Sequence, residues 1–420
     1  MRVVHVLRKY NPEEWGGTET ALQRLLEGMR GQNVSSVVYS PRIEGDDTSL
    51  DPLQKAGCEL KRFNAFVPIW GISERVKREM ISVGGNLMSF DLLTSLWREP
   101  DVSIIHTHTL GRIGAMGLMI ARRRNAPLVV TIHGGVLDLP DKLRANFHHS
   151  VRQGWDWGRI FGLLLRSHDL LKNADAIVTC NPKEAALLQA KFPGQEIRVQ
   201  PHGVALETYQ TDHRATAGKL FPELRDRKIL LCVGRIDAVK NQGWLIEQAP
   251  EIFRKHPQAV LVLAGACTEE KYGKLIERKI AELGLGGRVL LTGGLPPADP
   301  RLIGLLQLAD AVVLPSVSET FGLVLLEAWA AGAAVIASRT SGAMALIREG
   351  ENGRLFDLEK PEIFHRAVAE ALTNGEARQR LAAVGGELVA VQYNTQVWAG
   401  RMKKIYEQLI KEKHALRHSA

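Results

Sequence analysis

Cysteine is scarce in this chain: Cys58, Cys180, Cys232 and Cys267 are the only four among 420 residues. They form no Cys-x-x-Cys pair, and three lie in or next to apolar strand-like runs. That spacing argues against a disulfide-stapled secreted scaffold and a thiolate metal centre, and the four read as reduced, small core residues of a cytoplasmic protein. Long apolar runs are missing as well. Leu323 to Ile336 is interrupted by Glu327, and no stretch meets the ~20 residues that a spanning helix requires. The opening run, Met1-Arg-Val-Val-His-Val-Leu7, is too short for a signal peptide and enters a strand at once. Aromatic residues make up only 6%, with no basic stripe interleaved with aromatics and no recognition-helix pattern, so no nucleic-acid partner is expected. No Asp-x-Asp occurs, which removes a common acidic anchor for a metal ion.

What is present is ordinary for a globular protein: 45% hydrophobic and 24% charged residues, with a formal charge of +8. The positive balance favours anionic partners, whether lipid headgroups, a polyanionic acceptor or a phosphorylated substrate. A length of 420 residues suggests two domains. The first half carries strand-like runs at Val3–Leu7, Ser36–Tyr39, Val102–His106, Leu128–Ile132, Ala176–Cys180 and Ile197–Gln200. The second repeats the rhythm at Ile229–Val233, Val260–Ala264, Val289–Thr292, Ala311–Leu314, Ala334–Ala337 and Arg354–Phe356. Helix-length segments between most of them predict an α/β chain of two Rossmann-like, doubly wound parallel sheets. The polar segment Gly203 to Phe221 reads as the linker, and a cleft is expected between the domains.

The most informative stretch is Ser316 to Ser338. Ala311–Pro315 reads as a buried strand; Glu319 sits in a Gly-containing turn, and Leu323 to Ala331 reads as a helix that stops at Gly332 and carries Glu327. A turn at the carboxyl edge of a parallel sheet is where such sheets bind ligands, and the helix start offers N–H groups to an anion. Carboxylates repel phosphate and accept from hydroxyls, so a ligand with both phosphates and hydroxyls, such as a sugar nucleotide, suits the pair. A glycosidase would draw its two carboxyls from separate elements roughly 5 to 9 Å apart. Here one helix and its lead-in supply both, and eight helical residues span about 12 Å.

In the second half, Gly234-Arg235-Ile-Asp-Ala-Val-Lys240-Asn241 follows a strand directly and places two cations at a sheet edge, able to clamp a diphosphate. In the first half, Gly16-Gly17-Thr18-Glu19 precedes the apolar-periodic segment Leu22 to Met29; its glycines permit a left-handed turn and close approach to a phosphate, though such a pair is often only a turn. Thr131-Ile-His133-Gly134-Gly135 puts a histidine at a strand end, where it binds hydroxyls or caps the sheet. His106-Thr-His108 lacks a nearby acidic or Cys ligand set and reads as a wall, not a metal site. Val67–Trp97 and Leu143–Leu171 mix Trp with basic residues; such helices usually cover a sheet, and contact with anionic membrane is the other reading.

The setting Pro315-Ser-Val-Ser-Glu319-Thr-Phe-Gly322-Leu-Val-Leu-Leu-Glu327-Ala resembles the signature of retaining glycosyltransferases of the GT4-type family, built on the two-domain GT-B fold. The resemblance covers essentially the whole chain and is strongest from Gly234 to Gly353, where Glu349-Gly-Glu-Asn352-Gly353 fits the family's Glu-x-x-Asn-Gly turn. It implies an acceptor domain at 1–203, completed by a C-terminal helix at 393–420, and a donor domain at 204–392. It implies that Arg235 and Lys240 clamp the donor diphosphate and Glu319 holds sugar hydroxyls. Glu327 would hold ribose hydroxyls, with backbone N–H groups around Thr320, Phe321, Gly322 and Leu323 meeting phosphate. By the same resemblance Gly16 and Gly17 lie over the diphosphate, and His133 lies near the donor sugar. Pro201-His202-Gly203-Val204 departs from the family's Pro-Asn-Gly-Val.

The expected activity is metal-independent, cofactor-free transfer of a sugar from a UDP- or GDP-linked donor to a hydroxyl on a sugar, glycolipid or other small molecule, in polysaccharide or glycoconjugate synthesis. A sugar-nucleotide epimerase of the same architecture and a non-catalytic sugar-nucleotide-binding subunit are the alternatives. Chain pairing is left open.

Overall fold

A computed structural model describes residues 1–12, 16–42, 51–82, 84–135, 137–138 and 155–418. The chain divides into two compact units, Met1–Pro201 with Thr395–Ala420, and His202–Asn394.

Unit one is built on a seven-stranded parallel sheet. Its strands are β1 (Arg2–Val6), β2 (Ser35–Pro41), β3 (Glu59–Phe63), β5 (Val102–Thr107), β6 (Leu128–Ile132), β8 (Ala176–Thr179) and β9 (Ile197–Val199), in the order β3-β2-β1-β5-β6-β8-β9. Apolar residues fall on both faces because helices cover both. Val4, Val6, Ile105, Leu128 and Val130 pack with Ile113, Met116 and Ile120 of the helix Gly111–Arg124. Val3, Ile104, Val129 and Val178 pack with Leu25 and Met29 of the helix Gly17–Met29 and with Trp398, Met402, Ile405 and Tyr406 of the last helix, Thr395–His418. A two-stranded antiparallel ribbon, β4 (Ile69–Trp70) with β7 (Trp155–Asp156), stands apart from this sheet.

Unit two carries a six-stranded parallel sheet in the order β12-β11-β10-β13-β14-β15. Its strands are β10 (Lys228–Val233), β11 (Ala259–Ala264), β12 (Val289–Gly293), β13 (Ala311–Leu314), β14 (Val335–Ser338) and β15 (Arg354–Phe356). Leu230, Cys232, Leu261, Leu263 and Val313 face Leu245, Ile246 and Phe253 of the helix Gln242–Lys255 and Phe364 and Val368 of the helix Pro361–Thr373.

Two expectations change. The segment from Gly203 to Phe221 is not an irregular linker: it forms the helices Leu206–Gln210 and Arg214–Leu220 within unit two. Gln307 ties them down, accepting from the His213 N–H at 2.8 Å and donating to the carbonyls of Tyr209 and Thr211 at 2.9 and 2.8 Å. Cys58, Cys180 and Cys232 are buried as core residues, whereas Cys267 is exposed.

Candidate functional site

In unit two, β10 is followed by Gly234, whose φ of +149° is costly for any residue with a side chain. The neighbouring turn is just as tight, since a Cβ at Gly265 would lie 1.9 Å from the Gly234 carbonyl oxygen. Beyond Gly234 the chain folds around Asp237, which is buried and accepts from the N–H groups of Val239 and Lys240 at 3.0 and 2.9 Å. Its other oxygen lies 3.1 Å from Arg235 Nη2, and the Arg235 side chain is 55% exposed. Asp237 thus shapes the loop and anchors one of the two cations.

The other cation, Lys240, donates to the carboxylate of Glu319; each side chain is 19% exposed. Two further bonds join their loops: Asn241 Nδ2 donates to the Pro315 carbonyl at 3.2 Å, and the Val317 N–H to the Val239 carbonyl at 2.8 Å. From behind, the Gly342 N–H donates to the Glu319 carbonyl at 2.8 Å, and Ser338 Oγ to the Ser316 carbonyl at 2.6 Å. Gly322 takes φ +88° and opens the helix Leu323–Ala330, next to Thr320 and Phe321. Phe321 is buried, edge-on to His202 with centroids 5.1 Å apart. Glu327 is buried in the second turn of that helix. Helix-start N–H groups, an ammonium, a guanidinium and the Glu319 carboxylate therefore collect at one edge of one sheet, with Glu327 buried a turn further along the helix. Such a set binds an anion that carries hydroxyl groups.

Asn352 of the Glu-x-x-Asn-Gly turn has a packing role. Its Oδ1 accepts from the Arg348 N–H at 2.8 Å, its Nδ2 donates to the Leu346 carbonyl at 3.1 Å, and its carbonyl accepts from Trp329 Nε1 at 2.9 Å.

In unit one, Gly16 and Gly17 differ from the expected left-handed turn. Gly16 is extended at φ −125°, and Gly17 is the first helical residue. A Cβ at Gly16 would lie 2.8 Å from Glu19 Oε2, the oxygen that accepts its N–H at 3.1 Å, so a larger residue there would displace the Glu19 carboxylate. Burial raises the pKa of the Glu19 carboxyl.

His133, just past β6, lies among three other histidines on the same sheet face. His5 and His106 are paired across β1 and β5, and His108 follows two residues later. His108 Nδ1 lies 2.7 Å from His133 Nε2, and His108 Nε2 lies 3.0 Å from His5 Nδ1. His106 Nδ1 is 2.6 Å from the Tyr406 hydroxyl, and its Nε2 is 2.6 Å from Thr131 Oγ1. Burial drives the His5 pKa down to about 3 and that of His133 to about 4. His5 carried no sequence signal: only register reveals it as the neighbour of His106. Asp237, Gly342 and Ser338 were likewise missed, because their task is to hold backbone.

An aromatic patch stands on the ribbon. Trp70 and Trp155 face each other across it, with centroids 5.1 Å apart, and contacts continue through Trp157 to Phe66 and Phe161. Trp70, Trp155, Ile160, Leu163 and Leu164 are 58–73% exposed. Of the basic residues in the stretches Val67–Trp97 and Leu143–Leu171, Arg75, Arg78 and Arg159 are exposed, whereas Arg144 and Arg152 lie outside the described residues.

Two family models match the chain: Glycosyltransferase Family 4 over residues 15–208, and Glycosyl transferases group 1 over residues 219–386. Among curated relatives, a D-inositol 3-phosphate glycosyltransferase of Acidothermus cellulolyticus is 28% identical over 287 residues, 66% of this chain and 61% of that protein. Another of that name from Thermobispora bispora is 29% identical over 345 residues, 79% of this chain and 77% of that protein. Among solved structures, Anabaena HepE in complex with UDP and glucose superposes with a TM-score of 0.72 at 18% identity, covering 96% of this chain and 99% of that one. A sucrose-phosphate synthase from Thermosynechococcus elongatus gives 0.74 at 21% identity, covering 98% and 99%. At these identities the structural likeness is one of fold.

Proposed function

This chain belongs to the GT4-type glycosyltransferases of the GT-B fold, and from that premise we propose that it moves a hexose-type sugar from a UDP- or GDP-linked donor to an acceptor hydroxyl with retention of configuration. The Lys240–Glu319 pair at the helix start carries this reading, because it sets a phosphate-binding cation against a hydroxyl-binding carboxylate. In the reaction the acceptor oxygen bonds to the anomeric carbon and the bond from that carbon to the phosphate oxygen breaks. The acceptor proton passes to a departing phosphate oxygen on the same face. Arg235, Lys240 and the N–H groups from Thr320 to Leu323 stabilise the leaving diphosphate. Glu319 holds sugar hydroxyls and Glu327 the ribose. Gly16 and Gly17 contact the diphosphate and His133 the transferred sugar. These cations replace a metal ion, and no cofactor takes part.

Uridine is the first donor to test, since UDP is the nucleotide named for the HepE structure. The acceptor is a sugar, glycolipid or other small molecule read by unit one; a phosphorylated cyclitol is among the first to test, since two curated relatives are named D-inositol 3-phosphate glycosyltransferase. A thermal-shift screen across UDP, GDP and ADP sugars identifies the donor, a matching ligand at a hundred times its Kd stabilising by about 2.7 kcal/mol. Nucleotide diphosphate release with acceptor, lost in Glu319→Ala, then tests the transfer. Epimerised donor, or binding without turnover, would overturn it.

A second observation bears on location. No helix among the described residues is long and apolar enough to cross a membrane. The exposed Trp70, Trp155, Ile160, Leu163 and Leu164 beside Arg75 and Arg159 have the composition of a peripheral, interfacial surface, so we place the enzyme in the cytoplasm at an anionic membrane face. Sedimentation with phosphatidylglycerol vesicles, weakened by a Trp70→Ser/Leu164→Ser double substitution, is the expected result; equal pelleting with neutral vesicles, or none, would refute it.

A further inference from the structure

The histidines around His133 carry a feature beyond sugar contact. His5, His108 and His133 stand in a row, their facing nitrogens 3.0 and 2.7 Å apart. Their ring centroids are 5.3 and 5.0 Å apart, with 24° and 27° between planes. The centroid separation exceeds the N···N distance by the same amount in both pairs, the combined centre-to-nitrogen reach of two five-membered rings. Each hydrogen bond therefore runs along the line of ring centres. The rings lie end to end and nearly coplanar; they are not face-stacked.

This geometry decides between a proton chain and a metal site. Ligand nitrogens of His5, His106 and His108 all lie within 4.8 Å of one another, a spacing that would admit an ion. A zinc ion bonded at about 2.0 Å to both His5 and His108 would sit off the line joining their nitrogens, where neither lone pair points. His106 has its two nitrogens directed at Tyr406 and Thr131.

A neutral imidazole donates through one nitrogen and accepts at the other. The row then has two arrangements. In one, His5 Nδ1 donates to His108, His108 Nδ1 donates to His133, and His133 carries its proton on Nδ1. In the other every bond reverses, and His133 Nδ1 becomes an acceptor. We propose that His5, His108 and His133 form a hydrogen-bonded relay in which His108 is a positioning residue. The relay fixes whether His133 presents a donor or an acceptor at Nδ1, the nitrogen not engaged with His108. Burial supports this by keeping His5 and His133 neutral near pH 7. The catalytic consequence rests on the reading of His133 as a contact for the transferred sugar; the relay itself does not.

The test is long-range 1H–15N spectroscopy of histidine-labelled full-length protein, which reports the tautomer of each ring without substrate. One dominant tautomer is expected for His133. His5→Phe, which keeps a ring but removes its nitrogens, is expected to change the His133 tautomer ratio across an intervening residue. In the transfer assay it should lower kcat roughly tenfold or more, with donor KM little changed. His108→Phe should do the same, and His108→Asn, which keeps a nitrogen-bearing group toward His133, should recover part of the loss. If His5→Phe does not fold, His5→Leu serves. An unchanged His133 tautomer ratio in a folded His5 variant would overturn the relay, as would stoichiometric zinc binding that His5→Phe abolishes. Because the spectrum needs no donor, a failed glycosyltransferase assignment would show as absent turnover in the parent enzyme, with the tautomer coupling intact.

Discussion

Lys240 donates to Glu319 across the two loops at the carboxyl edge of the second sheet, so the cation assigned to phosphate and the carboxylate assigned to sugar hydroxyls neutralise each other. An ammonium has three donors, and two remain for a ligand. If the pair were only a structural strut, Lys240→Met and Glu319→Gln would lower stability and leave turnover intact. In the proposed role, Lys240→Met loses about 10²–10³ in kcat. Lys240→Arg does not restore it, because a planar fork replaces a point charge. A double-mutant cycle on kcat should show coupling of about 0.5–3 kcal/mol; additive losses would separate the two side chains functionally.

Gly342 lies behind that pair. A Cβ on it would stand 2.5 Å from the Phe321 nitrogen and 2.7 Å from the Glu319 carbonyl oxygen, both backbone atoms unable to swing away. Gly342→Ala should therefore push the 319–321 turn off the helix start. A loss of about 1–3 kcal/mol in stability is expected, accompanied by a larger fall in donor affinity than Ser341→Ala causes. Titration calorimetry with the nucleotide beside a denaturant melt checks both. Unchanged affinity would mean that the turn does not touch the donor.

Most of the fold was legible because buried parallel strands are continuous apolar runs: Leu128–Ile132, Ala311–Leu314 and Arg354–Phe356 coincide with the observed strands. β3 escaped notice because it is an edge strand, where Glu59, Lys61 and Arg62 keep charges in a position that a central strand would give to apolar residues. The segment 203–221 was misread because its helices are short and polar, held by Gln307 from almost a hundred residues away. In the site, motif residues on consecutive turns stood out. His5 did not, since a lone histidine in an apolar strand acquires meaning only through the register that sets it beside His106.

Asn352 illustrates a motif residue whose work is packing. Removing its side chain leaves the Arg348 N–H and the Leu346 carbonyl without their partner. Asn352→Ala should cost about 1–3 kcal/mol. The folded fraction should keep kcat within a few fold, because the turn meets Trp329 rather than the Lys240 loop. A melting curve and an active-site-titrated rate distinguish this from a ligand contact, which would lower kcat or affinity without the stability loss.

The buried histidines set the last expectation, the dependence of stability on pH. His5 and His133 are held down to about 3 and about 4, and His106 is also lowered, desolvation leading in each case. In the unfolded chain each returns to about 6.5. Between those values the unfolded state binds more protons, so stability is full above about pH 6.5 and falls as the pH drops toward the folded-state values, each such group adding a slope of up to about 1.4 kcal/mol per pH unit. The melting temperature should therefore decline steadily from pH 6.5 to pH 4.5. His5→Phe, with one fewer group to protonate, should show a shallower decline across that window although its Tm at pH 7.5 is no higher than the parent's. An identical slope in the two proteins would mean that His5 is not held neutral by the fold.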